Sequence, residues 1–249
     1  MCLLFNFQGS AAERLTYVDL VHRLTDLEGL AVLPQAGEKC AQFSSYDRRS
    51  HYDEQSGKYV NWDANDGDGD GIVREEDGKS VLAEMPGPGV IWRTWSAKPE
   101  QGHVMMYLDG SDKPSVDLPF AGYFDRRNEP FTYPLLVHDA SSGKNNYIPV
   151  GYQKSCKIVA DKGWGQYYHF VYTTYPKDTV LPTFTMNLSA EEKAALDKAN
   201  TLLANCGADP AGARSGQATV NASGAIKPGQ TTTILKVDGE RAITAIKVK

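Results

Sequence analysis

Over the middle of the chain, apolar and polar positions alternate mostly with period two. A helical period appears clearly at two places. Period two sends successive side chains to opposite faces of a strand, while spacings of three and four gather them on one helix face. Val104, Met106 and Leu108 alternate with Met105 and Tyr107. Tyr168, Phe170 and Tyr172 alternate with Tyr167, His169, Val171 and Thr173. Phe184, Met186 and Leu188 alternate with Thr183, Thr185 and Asn187. These runs predict short strands between Pro/Gly turns from about Cys40 to Leu188. GPGVIWRTWSA (Gly87 to Ala97) and HVMMYLDG (His103 to Gly110) read as adjacent antiparallel strands closing on an Asp-Gly turn.

The first helix is predicted from Thr16 to about Leu30, with Leu20, Val21, Leu24 and Leu27 on one face. The second is predicted near 189–205. It opens on the capping box Ser189-Ala190-Glu191-Glu192, in which hydroxyl and carboxylate each satisfy a free backbone N–H. Leu196, Leu202 and Leu203 supply its apolar contacts, and Gly207 is placed to end it. The pattern predicts a mainly β protein: a jelly-roll β-sandwich with two peripheral helices, plus the first hairpin of a second jelly roll. Residues 1–14 read as a leader or disordered segment, 15–206 as the sandwich domain, and 207–216 as a linker. Residues 217–249 read as the start of a second, truncated domain, with strands at Thr231–Val237 and Arg241–Lys249 around the turn Asp238-Gly239.

Composition narrows the partners. The net charge is -5 and no basic stripe occurs, which argues against nucleic acid. No apolar stretch approaches a membrane span. The amino terminus, MCLLFNFQGSAAE, lacks the basic region of a signal peptide, and the compartment stays open. The four cysteines, Cys2, Cys40, Cys156 and Cys206, have no zinc-ligand spacing, and Cys156 reads as a buried free thiol. Tyrosine is abundant, at 13 residues, which suits a carbohydrate surface and equally any sandwich core.

Candidate chemistry lies in a few segments. Arg93 and Trp95 share one face of their strand, and a cation beside an aromatic plate grips a sugar or an anion. The other reading is a packed Trp and an Arg paired with a carboxylate. In SSYDRRS (Ser44 to Ser50), Tyr46, Asp47 and Arg48 offer donors and acceptors to hydroxyls; the alternative is a solvated loop with a local Asp–Arg pair. In GKNNYIPVGYQKSCKI (Gly143 to Ile158), Asn145, Asn146, Tyr147 and Lys154 are suited to hydroxyls, or the asparagines simply serve a turn. His169 is a lone strand histidine and reads as structural.

Asp66, Asp68, Asp70, Ile72 and Asp77 occupy positions one, three, five, seven and twelve of a calcium-type loop, with Gly71 at the sharp turn. A structural Ca2+ would relieve the repulsion of three nearby aspartates; the alternative is a solvated acidic turn. No cofactor is required for catalysis. The 31 acidic residues single out no catalytic pair by themselves.

FSSYDR (Phe43 to Arg48), NWDAN (Asn61 to Asn65), LAEMPGPGVIWRTWSA (Leu82 to Ala97), YLDG (Tyr107 to Gly110), DLPFAGYFD (Asp117 to Asp125), GKNNYIPVGYQKSCKI and WGQYYHFVYTTYP (Trp164 to Pro176) occur in that order. Together they resemble glycoside hydrolase family 172, once called domain of unknown function 2961, over about Leu15 to Lys249. The resemblance implies paired jelly rolls, homo-oligomers such as trimers or hexamers, and retaining chemistry on fructofuranosides or D-arabinofuranosides. It also implies two catalytic glutamates in the second jelly roll, one within a Gly-Thr-Glu-Asp-Tyr motif that these 249 residues lack. No catalytic residue is therefore assigned, and the chain alone is expected to be inactive. The alternative is a non-catalytic carbohydrate-binding or calcium-stabilised scaffold module.

Overall fold

The structure is a computed structural model that describes residues 13–60, 71–100, 102–164, 167–205, 207–208, 212, 215–241, 243 and 246. Its strands are β1 (Lys39–Ser44), β2 (His51–Asp53), β3 (Lys58–Val60), β4 (Arg74–Glu76), β5 (Lys79–Pro86), β6 (Gly89–Ser96) and β7 (His103–Leu108). They continue as β8 (Val116–Pro119), β9 (Val137–Ala140), β10 (Gly143–Asn146), β11 (Val150–Tyr152), β12 (Ser155–Asp161) and β13 (His169–Thr174). A six-stranded sheet runs β1-β13-β6-β10-β9, with β11 also on β6; a five-stranded sheet runs β4-β5-β12-β7-β8. β2 and β3 form a ribbon of their own. Except for an isolated parallel bridge, Arg14 to Val180, the pairings are antiparallel, and the chain crosses repeatedly between sheets to give a β-sandwich.

Alternation builds the core. Met85, Met106, Ile158 and Ala160 of one sheet and Ile91, Val137, Tyr152 and Phe170 of the other are buried in one apolar cluster. Phe120, Tyr123 and Phe131, from the connection between β8 and β9, fill the same space. Cys156 is a buried free thiol, and burial pushes its pKa far up, so it stays protonated. Gly89 is required by close approach: a Cβ there would collide with the Tyr152 ring, 2.5 Å away.

Two helices lie at the periphery: α1 (Tyr17–Arg23) and α2 (Ala190–Ala204). α2 has the expected capping box, with Ser189 Oγ accepting from Glu192 N at 3.3 Å. α1 is shorter than its apolar spacing predicts. It ends at Leu24, because the Asp26 carboxylate accepts the Gly29 N–H at 2.9 Å and starts a separate 3-10 turn, leaving Leu27 exposed.

The strand expected at Thr183–Leu188 does not form. Upstream, the Gln153 amide accepts from Leu181 N at 2.7 Å and donates to Thr179 O at 3.1 Å, so a side chain replaces a ladder. Phe184 and Leu188 still bury their side chains. Residues 217–241 form no strand and lie exposed, so the expected strand at Thr231–Val237 is unpaired. A two-stranded hairpin is marginal in water without a third strand or a covering helix. Of Arg241–Lys249 only Arg241, Ile243 and Ile246 are described. Among the described residues, no helix is long and apolar enough to cross a membrane.

Candidate functional site

The outer face of the six-stranded sheet carries one continuous polar and aromatic rung. Ser44 of β1 lies opposite His169 of β13, and His169 lies opposite Trp95 of β6. Trp95 lies opposite Asn145 of β10, and Asn145 opposite His138 of β9. Five strands at about 4.8 Å spacing make this rung about 19 Å long. Thr94, Ser96 and Phe170, the alternating neighbours, are buried on the inner side.

Contacts fix the rung in place. The Trp95 and His169 ring centroids are 4.5 Å apart. Arg93, one pleat along β6, donates from Nε and Nη2 to Asn145 Oδ1 at 3.0 and 2.8 Å. Its guanidinium carbon lies 5.9 Å from the Trp95 ring centroid and 6.0 Å from that of Tyr147. Tyr147 in turn stacks on His138 at 5.8 Å. Asn145 also donates to Gly143 O at 3.1 Å. Gly143 itself is dictated by the indole: a Cβ there would overlap Trp95 Nε1. Burial, and secondarily the Arg93 charge, hold the His169 imidazole below its ordinary pKa. It is therefore neutral at pH 7, with one donor and one acceptor nitrogen.

The sequence-predicted residues separate into groups. Arg93 and Trp95 lie on one face, as their parity implies, and Tyr147 joins them there. Asn146 does not join them. It points inward and is buried, donating to Tyr123 O at 2.8 Å and accepting from Ile148 N at 2.9 Å. Asn145 is the asparagine that faces Arg93. His169, read as structural from sequence, stands in the rung, and His138 was not singled out at all. The signal was available: Asn145 and Tyr147 share one strand parity and Asn146 has the other.

Beyond the β1 end of the rung, Arg48 donates to Ser44 O at 3.1 Å and to the Tyr168 hydroxyl at 3.2 Å, and lies 5.0 Å over the exposed Tyr46 ring. Asp47 is buried and turned to Arg49, which donates from its backbone N at 2.9 Å and from Nε at 3.1 Å. The backbone hydrogen bond from Arg49 is the main cause holding Asp47 below the usual carboxylate range. The local Asp–Arg pair therefore exists, but with Arg49 as its partner.

Lys154 belongs elsewhere: it lines a groove against the five-stranded sheet. Asp66, Asp68 and Asp70 lie outside the described residues. Ile72 and Asp77 stand on either side of the extended β4, and Asp77, at φ 49°, begins the Asp77-Gly78 turn into β5. At about 3.3 Å per residue, β4 carries Asp77 too far for it and the Ile72 carbonyl to meet one ion. Among the described residues, no cluster of three His, Cys, Asp or Glu side chains is placed to hold a metal.

The arrangement offers hydroxyl-compatible donors and acceptors beside aromatic faces. None of the hydrogen bonds or ring contacts within the Arg93, Trp95, Asn145, Tyr147 and His169 group involves a carboxylate. Set against known families, residues 36–192 match the model of the GH172 first beta-sandwich domain. That span contains all thirteen strands found among the described residues. No curated protein matches the chain.

Proposed function

The chain belongs to glycoside hydrolase family 172, whose first β-sandwich domain it carries, and from that premise we propose that it presents a sugar-holding face to a furanoside-processing site. The observation that carries this reading is the rung Ser44–His169–Trp95–Asn145–His138, with Arg93 and Tyr147 beside it. An indole face suits the C–H face of a sugar ring, while a guanidinium fixed by Asn145 presents its remaining N–H groups to hydroxyls. Neutral His169 donates or accepts without adding charge. Fructofuranosides and D-arabinofuranosides are the substrate class this membership supports.

Retaining hydrolysis needs two carboxyl groups about 5–5.5 Å apart, one nucleophile and one acid/base. The rung holds substrate and supplies neither. The 249-residue chain by itself binds furanosides without turning them over. Titration with inulotriose, and incubation with a chromogenic D-arabinofuranoside, test both halves. Turnover by this polypeptide would contradict a binding role alone for these 249 residues. Failure of Trp95→Ala to weaken binding would contradict the rung. A second reading, a purely carbohydrate-binding module, is favoured by the same lack of a carboxylate among the rung contacts. Turnover in the protein purified from its source separates the two.

The family also supports assembly into trimers or hexamers. The β2–β3 ribbon stands as a sheet of its own, with exposed Tyr52 and Tyr59 at a centroid distance of 5.3 Å, and offers an assembly surface. Sedimentation reads the stoichiometry directly.

A further inference from the structure

The five-stranded sheet has a second built surface, on the side away from the core and remote from the rung. A groove of about 700 Å³ lies against it, within the size range of small-molecule sites. Its floor is set by strand register. Glu84 of β5 lies opposite Lys157 of β12, and Lys157 lies opposite Tyr107 of β7. One pleat on, Val81, Val159 and Met105 line up in the same way and form a small apolar cluster with Tyr107 and Val73, separate from the main core. Beside the polar row, Val159 is the member of this apolar row that reaches the groove lining.

The polar row is held in position before any ligand arrives. Arg74 donates to Glu76 at 2.9 Å and, through Nη1 and Nη2, to both oxygens of Glu84 at 2.7 and 2.8 Å. Lys157 bonds to Glu76 and lies 3.9 Å from Glu84. Hydrogen bonds from Lys157 and Arg74 keep Glu76 below its usual range, and hydrogen bonds from Arg74, helped by the Lys157 charge, do the same for Glu84, so both stay acceptors at neutral pH. The Tyr107 hydroxyl reaches only the Met105 thioether, at 4.0 Å, among the described residues.

Charge selects the ligand class. Four carboxylates, those of Glu76, Asp77, Glu84 and Asp112, line the groove. Three lysines, Lys79, Lys154 and Lys157, face them. The near balance disfavours phosphates and other strong anions, and the two central carboxylates already have cationic partners. A ligand that gains here is neutral, carries several hydroxyls, and has an apolar face for Tyr107 and Val159. We propose that this groove is a second carbohydrate site, binding a neutral oligosaccharide through Glu84, Lys157 and Tyr107. It is independent of the rung and of any catalytic step. Lys154, which the rung leaves out, is among the residues that line the groove.

The test uses the full chain with ¹³C-methyl-labelled methionine, because Met105 packs against Val159 and Tyr107, which line the groove, and Met85, buried in the core, borders it from below. Inulotriose, xylotriose and maltotriose are titrated separately, with inorganic phosphate and glucuronate as charged controls. At least one neutral trisaccharide shifts the Met85 or Met105 methyl saturably. Glu84→Gln and Tyr107→Phe, both conservative, each weaken that binding about tenfold, as expected for one lost hydrogen bond to a ligand. Trp95→Ala leaves it unchanged. The proposal is overturned if no neutral trisaccharide shifts either methyl up to its solubility, if the anions bind more tightly, or if neither groove variant changes the affinity. A sugar that moves only the Trp95 indole signal defeats this inference and leaves the rung standing. One that moves only the groove methyls does the reverse.

Discussion

Asn145 Oδ1 accepts two hydrogen bonds from the Arg93 guanidinium, at 3.0 and 2.8 Å, while Asn146, the next residue, points into the core. Asn145 is buried as well and also bonds Gly143 O, so it acts on a ligand through the Arg93 guanidinium it fixes, whereas Asn146 serves the fold alone. Asn146→Ala strips partners from two buried backbone groups and lowers stability by about 1–3 kcal/mol. It leaves the sugar affinity of the folded protein unchanged. Asn145→Ala frees the guanidinium and weakens furanoside binding about tenfold. Urea melts and calorimetric titration of the two variants check the distinction.

Gly143 and Trp95 make a second coupled pair, because a Cβ at Gly143 would occupy the place of the indole nitrogen. Gly143→Ala pushes Trp95 out of its packing with His169, at an overpacking cost of about 1–3 kcal/mol. The expected signature is a shifted Trp95 indole resonance and weaker sugar binding, with core resonances such as that of Tyr152 unmoved.

His169 gives the rung a pH dependence. Burial first, and Arg93 second, lower its folded pKa below the ordinary 6.5. Between the folded pKa and 6.5 the unfolded chain binds more protons, so stability rises with pH across that window. It falls as pH drops through 6.5 and levels off below the folded pKa. His169→Gln removes this contribution to the slope. Arg93→Met raises the His169 pKa only partly, since burial remains. NMR titration of the imidazole and urea melts across the window measure both effects.

Much of the architecture was legible because period two is a geometric property of strands. β6, β7 and β13 lie where alternation puts them, and the Ser189 capping box opens α2 as written. The misses have local causes. α1 stops early because Asp26 captures the Gly29 N–H, and just before Thr183–Leu188 the Gln153 side chain takes Leu181 N and Thr179 O, while within that segment Phe184 N bonds Gly151 O outside any ladder. The rung was half legible: Arg93 and Trp95 share a face by parity. That His169, Asn145 and His138 stand level with Trp95 depends on register between distant strands. The same holds for Arg74, Glu84 and Lys157, which only the pairing of β4, β5 and β12 brings together.

Asp77 offers a separate test of the calcium loop. At φ 49° it leads Gly78 in a two-residue turn between β4 and β5, the setting in which Asn-Gly is favoured. Asp77→Asn is therefore neutral or slightly stabilising. It leaves the response of the melting temperature to calcium and to chelator as in the wild type. A twelfth-position ligand would behave oppositely: the variant would lose stability in calcium and become insensitive to chelator.

The central claim is that the outer face of the six-stranded sheet holds the sugar. Titration of the ¹⁵N-labelled chain with inulotriose, followed at the tryptophan indole N–H signals, tests it most directly. Trp92, bonded to Thr173 Oγ1 at 2.9 Å, and Trp164, buried, serve as internal references. The account predicts a saturable shift of the Trp95 signal, which Trp95→Phe identifies by its absence, with Trp92 and Trp164 still, and a weaker affinity in Asn145→Ala. A Trp95 signal that does not move while the sugar binds would contradict it.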